Sequence, residues 1–443
     1  MNKFTPRDTI KLGLVMFALF FGAGNMIFPP LVGQQAGTAT WITIAGFLLT
    51  GVGLPFLGVV AVARSGDQLS DLAKKAHPLF GIVFAVVVYM AIGPLFGVPR
   101  TATVAFEIGA SPFVPYVYTT FTLTLFTILF FTVTAWLALT PSKILDRFGK
   151  ILTPILLVIV TSIVMLGILK PAGISGPPQA DYVNNPFTQG FIKGYLTMDA
   201  IAALVFGIIV INAIKAKGIT DKKVIMKSTM KSGLIAVFGL SLVYIGLAYL
   251  GMTSRTIAPD AENGGIILTK LTYELMGTTG QILLGIAVLL ACLTTSVGLV
   301  SACSTFFSNT FPSISYKWIV LIISVFSTFI ANIGLTQLIS ITLPILIGIY
   351  PLAIVLICLS FFHNLFNGYR SVYLFALAGA GFIGFFDMLK EFGITFSLVT
   401  SILQHLPLYE EGIGWIAPAI ILAIIGYIYG FYAHKKRRQA PGH

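Results

Sequence analysis

The side chain best placed for chemistry is Asp199, a carboxylate inside a long apolar stretch. Residues 188–214 carry only one other charged group, Lys193. If this stretch crosses a membrane, Asp199 lies about 11 residues into it, near mid-bilayer, where a charge costs about 2.5–3.5 kcal/mol on insertion scales. Such a carboxylate either faces a cavity on an ion or solute pathway or is a protonated or paired structural group, and both interpretations stay open.

A run of hydroxyl side chains, Thr294-Thr295-Ser296, interrupts a second apolar stretch at a similar depth. Three hydroxyls can supply hard oxygen ligands to a small cation, together with carbonyls from an unwound helix. They can equally bond the carbonyls four residues earlier in their own helix. The depth of Thr294, about 15 residues into its stretch, favours the cation interpretation.

A third feature is the segment around Gly22, Gly24 and Asn25, which lies within the first apolar stretch and precedes Pro29 and Pro30. Two glycines and an asparagine weaken a helix where lipid cannot replace lost hydrogen bonds, so unwound backbone is tolerated there only in protein or beside a cavity. The alternative is that the glycines serve close helix packing.

The elements that position these residues are predicted to be transmembrane helices. Of 443 residues, 57% are hydrophobic and only 9% are charged, whereas a soluble domain carries about 25% charged residues. A helix needs roughly 20 apolar residues to cross the bilayer, and the runs are too long for a barrel. The sequence predicts an all-α polytopic protein with about twelve spans: 8–34, 40–63, 79–106, 115–139, 148–170, 188–214, 232–252, 279–308, 316–334, 336–361, 371–390 and 412–433.

The net charge of +12 comes from an excess of Lys and Arg. Most of these bases fall at the N-terminus, in alternate loops and in the tail, so the positive-inside rule predicts that both termini are cytoplasmic. We therefore expect a lipid bilayer as the surroundings, no nucleic-acid partner and no obligate protein partner. Cys292, Cys303 and Cys358 lie in apolar runs, which indicates neither a disulfide framework nor a thiolate metal site.

The interruptions in spans 1 and 6 form a pair. Span 6 comes five spans after span 1, an odd number, so the two helices enter from opposite faces, and each is broken at a comparable depth. Broken helices at matching positions of two inverted halves are typical of secondary transporters. We expect repeats in 1–170 and 188–361, two added helices in 371–433 and a basic cytoplasmic tail in 434–443.

Three motifs resemble one known family: the run from Phe21 to Pro30, Pro99-Arg100-Thr101-Ala102-Thr103, and Thr197-Met198-Asp199-Ala200. The chain looks like a bacterial branched-chain amino acid:cation symporter, a branched-chain amino acid transport system II carrier. The resemblance covers the whole chain. It implies uptake of leucine, isoleucine and valine across the bacterial cytoplasmic membrane, driven by sodium or alternatively by protons, with no other cofactor and no enzymatic activity.

Gly-x-Gly-Asn in span 1 and Ala-x-Leu-Thr-Thr-Ser in span 8 also resemble sodium-coupled transporters with the five-plus-five inverted-repeat, LeuT-like fold. That resemblance implies a sodium site formed by the carbonyls of Ala18, Phe21 and Ala291 and the hydroxyls of Thr294 and Thr295. Span 7 contains no Asn or Gln, so the second sodium site of that fold is not expected.

The same resemblance implies that free amides after the first break hold the substrate carboxylate and that carbonyls at both breaks meet its ammonium. Apolar walls would select the aliphatic side chain. The expected substrate-binding residues are Phe20, Gly22, Ala23, Gly24, Asn25, Tyr89, Thr197, Met198, Asp199, Ala200 and Phe206; for Tyr89 and Phe206, packing in the core is an equal alternative.

Arg100 and Glu107 form a candidate outer gate on one face of span 3. Arg100 falls about 21 residues into that span, so the alternative is snorkelling to the membrane surface. A rival architecture is a six-plus-six facilitator for another small apolar solute. The sequence lacks nucleotide-binding and His-Glu-x-x-His motifs, which argues against an enzyme.

Overall fold

The computed structural model describes residues 4–66, 68–139 and 153–439, and every regular element in these ranges is a helix. Short 3₁₀ and π-helical turns join some of the α-helices. The α-helices are α1 (Pro6–Phe20), α2 (Ala23–Ala36), α3 (Thr40–Leu48), α4 (Leu54–Ser65), α5 (Leu69–Ala73), α6 (Pro78–Met90), α7 (Gly97–Gly109), α8 (Thr119–Ala138), α9 (Thr153–Leu169), α10 (Pro186–Tyr195), α11 (Asp199–Lys215), α12 (Lys222–Met252), α13 (Gly264–Thr310), α14 (Tyr316–Ala331), α15 (Leu335–Phe362), α16 (Arg370–Glu391), α17 (Ser397–Leu403) and α18 (Ile416–Gln439).

Both expected interruptions are present. The first predicted span is divided into α1 and α2 at Phe21-Gly22. The sixth is divided into α10 and α11, whose axes differ in direction by 43°. Each of the other ten predicted spans also coincides with a helix or a helix pair. The polar and glycine residues singled out from the sequence therefore lie where two helices are broken.

Within the described residues, eight helical segments are long and apolar enough to cross a membrane, or nine if α10 and α11 form one span. Pro154–Leu169 and Tyr316–Ala331 are shorter apolar helices. The segment Ala23–Ser65 counts once although it joins α2 to α3 and α4. The chain is therefore an all-helical, multi-pass membrane protein, while the number twelve stays a prediction.

One predicted boundary is wrong. The seventh predicted span, 232–252, begins ten residues too late, because the basic stretch before it is helical from Lys222, where α12 begins. The Asp221 carboxylate accepts hydrogen bonds from the Lys223 and Val224 amides at 2.7 and 3.0 Å and caps that helix. Further on, the sequence also predicts a short helix around 266–276, and this prediction is confirmed: residues 264–276 form the first part of α13, which kinks at Gly277 with φ of 62°.

Some residues used in the sequence predictions lie outside the described residues. These are four of the bases that indicate the orientation (Lys3, Lys143, Arg147 and Lys150), the first residues of the 148–170 span and the last four residues of the tail.

Small residues bring the central helices into backbone contact. A Cβ on Gly33 of α2 would lie 1.9 Å from the Ala248 carbonyl oxygen of α12, and one on Gly251 would meet the Pro30 carbonyl oxygen at 1.9 Å. In a membrane, helices associate through such packing rather than by escape from water. The α2–α12 pair is therefore a tight scaffold beside the first break.

Candidate functional site

The two breaks meet at one small cavity in the middle of the helix bundle. The cavity has a volume of about 30 Å³, which is enough for one or two water molecules. Its walls come from both breaks and from α7, α13 and the turn before α7. The lining residues are Leu19, Phe20, Gly22, Ala23, Gly24, Asn25, Ile92, Gly97, Arg100, Thr101, Thr197, Met198, Asp199, Ala202, Phe206, Thr295 and Leu299.

Asp199 is the first residue of α11, directly after the second break, and is 4% exposed. Its Oδ2 accepts hydrogen bonds from the Asn25 side-chain amide and from the Tyr244 hydroxyl, the latter at 3.0 Å. The Asn25 amide also donates to the Tyr244 oxygen. Asp199 therefore joins the first break to the second and both to α12.

At the first break, the backbone turns out of the helix at Gly22, and Asn25 holds it there. The Gly22 amide donates to the Phe20 carbonyl at 2.8 Å and to Asn25 Oδ1 at 3.0 Å. In a continuous helix that amide would bond Ala18 instead. Ala23, Gly24 and Asn25 in the opening turn of α2 line the cavity, and the first amides of a helix have no partner within it. This end of the break offers donors and partial positive charge.

At the second break, Met198 adopts the left-handed conformation with φ of 65°, and the chain leaves α10 before α11 starts. Two carbonyls exposed by this turn are held by one side chain. Arg100 donates from Nη1 to the Leu196 oxygen at 2.7 Å and from Nη2 to the Thr197 oxygen at 3.2 Å. Its guanidinium also stacks over Phe28, 5.5 Å from the ring centroid.

The expected position of Arg100 at the outer surface is wrong. Arg100 is 3% exposed and lines the cavity, because the π-helical turn Ala91–Leu95 and the non-helical Gly93 offset α7 from α6. Glu107 lies one to two turns further along α7, with its side chain beside Gly265 at the start of α13. Arg100 directs its hydrogen bonds to the break rather than to Glu107, so the pair does not form the expected contact.

Of the five residues expected to bind a cation, Thr295 lies in the cavity wall. A Cβ on Gly22 would approach Thr295 Oγ1 to 2.7 Å, so the hydroxyl lies against the unwound backbone. This buried oxygen has no hydrogen-bond partner among the described residues. An orphaned oxygen beside an unwound carbonyl segment has the chemistry of an alkali-cation ligand.

The other expected cation ligands are placed differently. Thr294 Oγ1 donates to the Leu290 and Ala291 carbonyls at 3.0 and 2.8 Å, as in the within-helix alternative. Ala18 and Phe21 are buried next to the first break. In the described part of the chain, no cluster of three His, Cys, Asp or Glu residues could hold a metal.

The aromatic residues expected to bind substrate differ in where they lie. Phe20 and Phe206 line the cavity and contact each other edge to face, with ring centroids 6.0 Å apart. Tyr89 instead stacks on Phe306 at 3.9 Å and is not among the residues lining the cavity. Ala200 is buried just behind Asp199. Tyr89 thus takes the core-packing alternative.

Sequence reasoning missed Tyr244, the second donor to Asp199. It is one of 16 tyrosines and lies in the apolar part of α12, directly between Val243 and Ile245. It also missed cavity-lining residues from the helices around the breaks: Leu19, Ile92, Gly97, Thr101, Ala202 and Leu299.

Comparison with known proteins gives consistent results. Residues 5–432 match the family described as branched-chain amino acid transport protein. The chain is 49% identical over 423 residues to the branched-chain amino acid permease BraB of Bacillus subtilis, covering 95% of each chain.

Two solved structures share the fold at 15% identity. One is MhsT in complex with L-phenylalanine, with a TM-score of 0.57 and coverage of 96% of this chain and 98% of that one. The other is MHP1, a nucleobase-cation-symport-1 family transporter, with a TM-score of 0.60 and coverage of 97% and 93%. The helices are thus arranged as in LeuT-like transporters, and the chain belongs to the branched-chain amino acid transport protein family.

Proposed function

We propose that this protein imports leucine, isoleucine and valine by symport with sodium, using the cavity between the two helix breaks as its alternating-access site. The observation that carries the proposal is the convergence of both breaks and the unpartnered Thr295 hydroxyl on that one cavity. The family supplies the substrate class, since BraB is named a branched-chain amino acid permease.

The two breaks offer the groups that a zwitterion requires. The amides of Ala23, Gly24 and Asn25 at the start of α2 would hold the carboxylate, because a helix N-terminus attracts anions without a dedicated cation. The substrate ammonium would be held by the Asp199 carboxylate and the carbonyls near Phe20 and Thr197. The backbone thus recognises what all α-amino acids share.

Side-chain selection would fall to the apolar walls, chiefly Phe20, Phe206, Ile92 and Leu299, which line the cavity. One methylene in such a wall is worth only about 1–3 kcal/mol, so the three aliphatic substrates would share the site. The 30 Å³ open in this conformation is too small for their side chains, so binding requires the walls to separate.

Sodium would bind beside the first break, between α1 and α13. Thr295 Oγ1 would be one ligand, with the carbonyls of Ala18, Phe21 and Ala291 and, after rotation away from Ala291, the Thr294 hydroxyl. The Ala18 carbonyl lacks its usual Gly22 partner, which suits it to this role. A cation there would link the broken helix to α13.

The membrane arrangement is part of the same proposal. We propose cytoplasmic termini, repeats in 1–170 and 188–361, and an accessory pair in 371–433. The distribution of Lys and Arg supports the orientation, and the contact of Asn25 with Asp199 supports a site at the interface between repeats.

Proton coupling is the second candidate, and one observation favours it. Asp199 is a buried carboxylate held by two neutral donors, without an ion pair among the described residues. A carboxylate in such surroundings can take up a proton as the site changes access.

The test is uptake of labelled leucine into proteoliposomes with imposed sodium and proton gradients varied separately. Sodium symport predicts accumulation with an inward sodium gradient at equal internal and external pH. Accumulation with a proton gradient alone would support the second candidate. Leucine equilibration without accumulation under either gradient would indicate a facilitator and contradict both.

A further inference from the structure

A pocket of about 800 Å³ lies between the start of α1 and the start of α12, at the end of these helices far from the transport cavity. Its lining is partly basic and largely apolar. The lining residues are Phe4, Pro6, Thr9, Ile10, Gly218, Ile219, Thr220, Asp221, Lys223, Val224, Lys227, Ser228 and Lys231.

The charge in this pocket is positive and ordered. Lys223, Lys227 and Lys231 follow one another at intervals of four residues, so their side chains share one face of α12. All three are exposed. Among the described residues that line the pocket, Asp221 is the one acidic residue, and its carboxylate accepts hydrogen bonds from the Lys223 and Val224 amides as the helix cap. The face that remains for a ligand therefore presents three ammonium groups.

The rest of the lining suits a molecule with an apolar part. Phe4, Ile10, Ile219 and Val224 contribute apolar surface next to the lysines. The pocket also lies at the start of α12, which is long and apolar enough to cross a membrane, and the ends of such a helix meet lipid headgroups and the first methylenes of their chains. Basic pockets between membrane helices bind anionic headgroups.

We propose that this pocket binds the headgroup of an anionic phospholipid, with the lysine ammonium groups on the phosphate and the apolar residues against the start of the acyl chains. The lysines complement the charge of a phosphate, and the apolar residues beside them favour a membrane lipid over free phosphate, which has no apolar part.

The position of the pocket gives the lipid a consequence for the helices that carry the transport cavity. Above the pocket, α1 and α12 are in close contact, and a Cβ on Gly13 would lie 2.8 Å from Ile235 Cβ. Further along, α1 ends at the first break and α12 supplies Tyr244 to Asp199. A lipid that bridges the two helices at their open end holds them together as one unit.

The binding test uses purified full-length protein in mixed micelles containing phosphatidylglycerol or phosphatidylcholine with identical chains, with retained lipid counted by native mass spectrometry. Phosphatidylglycerol should be retained preferentially. The triple variant K223Q/K227Q/K231Q should bind it about tenfold more weakly or worse, since each juxtamembrane lysine contributes to attraction of anionic lipid. K223R/K227R/K231R, which keeps the charges, should retain binding.

The matched control is K170Q/K222Q/K270Q, which removes three exposed lysines that do not line the pocket. It should bind phosphatidylglycerol like the wild type, and 10 mM inorganic phosphate should not displace the lipid. Equal retention of the two lipids, equal loss in both glutamine triples or full displacement by phosphate would overturn the proposal. Retention does not depend on transport, so this test stands apart from that of the proposed function.

Discussion

The two helix breaks meet at one cavity but are built by opposite means. The first is local: the chain turns at Gly22, and Asn25 Oδ1, three residues later, accepts a hydrogen bond from the Gly22 amide at 3.0 Å. The second is held from a distance: the carbonyls of Leu196 and Thr197 are fixed by Arg100, about 96 residues earlier in the chain. The first break thus presents amide donors, and the second presents carbonyl acceptors that already carry a cationic partner.

On the proposed function, this difference would allow one cavity to receive a zwitterion. Donors at the start of α2 suit a carboxylate, and the Asp199 carboxylate at the second break suits an ammonium, since Arg100 already donates to the Leu196 and Thr197 carbonyls. We therefore assign Arg100 as a positioning residue for the second break. Its guanidinium donates hydrogen bonds to carbonyls that would bond backbone amides in a continuous helix. The variants below test each break in turn.

The largest effect is expected from Gly24→Leu at the first break. A Cβ at this position would lie 3.1 Å from the Thr197 Cα and 3.3 Å from Arg100 Nη2, so the longer side chain would occupy the space between the breaks. We expect leucine binding and uptake to be abolished. Gly53→Leu is the control, since its Cβ meets nothing closer than 3.7 Å. Wild-type leucine affinity in a folded Gly24→Leu protein would show that the breaks do not form the site.

The next effect is expected from Arg100→Gln at the second break. It removes two charge-assisted hydrogen bonds, worth about 1.5–3 kcal/mol each, and leaves buried carbonyls unpaired. We expect leucine uptake to fall about 100-fold and the Tm to decrease. Arg255→Gln is the matched control, because Arg255 also donates to two carbonyls, those of Pro177 and Gln34, but does not line the cavity.

Uptake by Arg255→Gln should stay within about twofold of the wild type, as expected for a polar contact outside the site. If both variants lose uptake in proportion to their loss of Tm, Arg100 serves stability alone and its assignment to the second break is wrong.

Asp199→Asn tests the connection between the breaks. It removes the carboxylate that accepts from Asn25 and Tyr244 and that would meet the substrate ammonium. We expect leucine uptake to fall roughly 30-fold at unchanged Tm, in line with the loss of about 2 kcal/mol from one charged hydrogen bond. Asp387→Asn in α16, away from the cavity, should transport like the wild type. Wild-type uptake by Asp199→Asn would make this carboxylate structural.

The smallest and most selective effect is expected at the first break from Thr295→Ala. Its hydroxyl has no hydrogen-bond partner in the described part of the chain, whereas that of Thr294 already bonds two carbonyls of its own helix. We expect the sodium concentration for half-maximal uptake to rise about tenfold in Thr295→Ala, more than in Thr294→Ala, with Thr295→Ser near wild type. One lost ligand of about 1.4 kcal/mol gives this factor. Unchanged sodium dependence in both alanine variants would show that α13 does not contribute to the cation site.

Much of the fold and more than half of the residues that line the cavity could be predicted from the sequence. Helical spans follow from apolar length, and the first break follows from Gly22, Gly24 and Asn25, because local residue types alone disfavour a helix there. Asp199 was identifiable because a lone carboxylate is conspicuous in an apolar run. These signals are all contained in short segments.

The rest depends on contacts between distant segments. Arg100 was predicted to lie near the membrane surface because its depth was counted along a straight helix. The Ala91–Leu95 turn and the non-helical Gly93 instead displace α7 from the axis of α6. Tyr244 and Tyr89 are both tyrosines in apolar helices, yet one bonds Asp199 and the other stacks on Phe306. Only the packing of the helices distinguishes such residues.

The central claim is that leucine binds between the two breaks, and accessibility of one wall residue tests it most directly. Ala202 lines the cavity on α11. In protein with Cys292, Cys303 and Cys358 replaced by serine, Ala202→Cys is exposed to a small water-soluble thiol reagent in proteoliposomes, with Glu410→Cys at an exposed position as the reference. We predict that leucine with sodium slows modification at position 202 at least tenfold and leaves position 410 unchanged. An unaltered rate at position 202 under saturating leucine, in protein that still transports, would contradict the account.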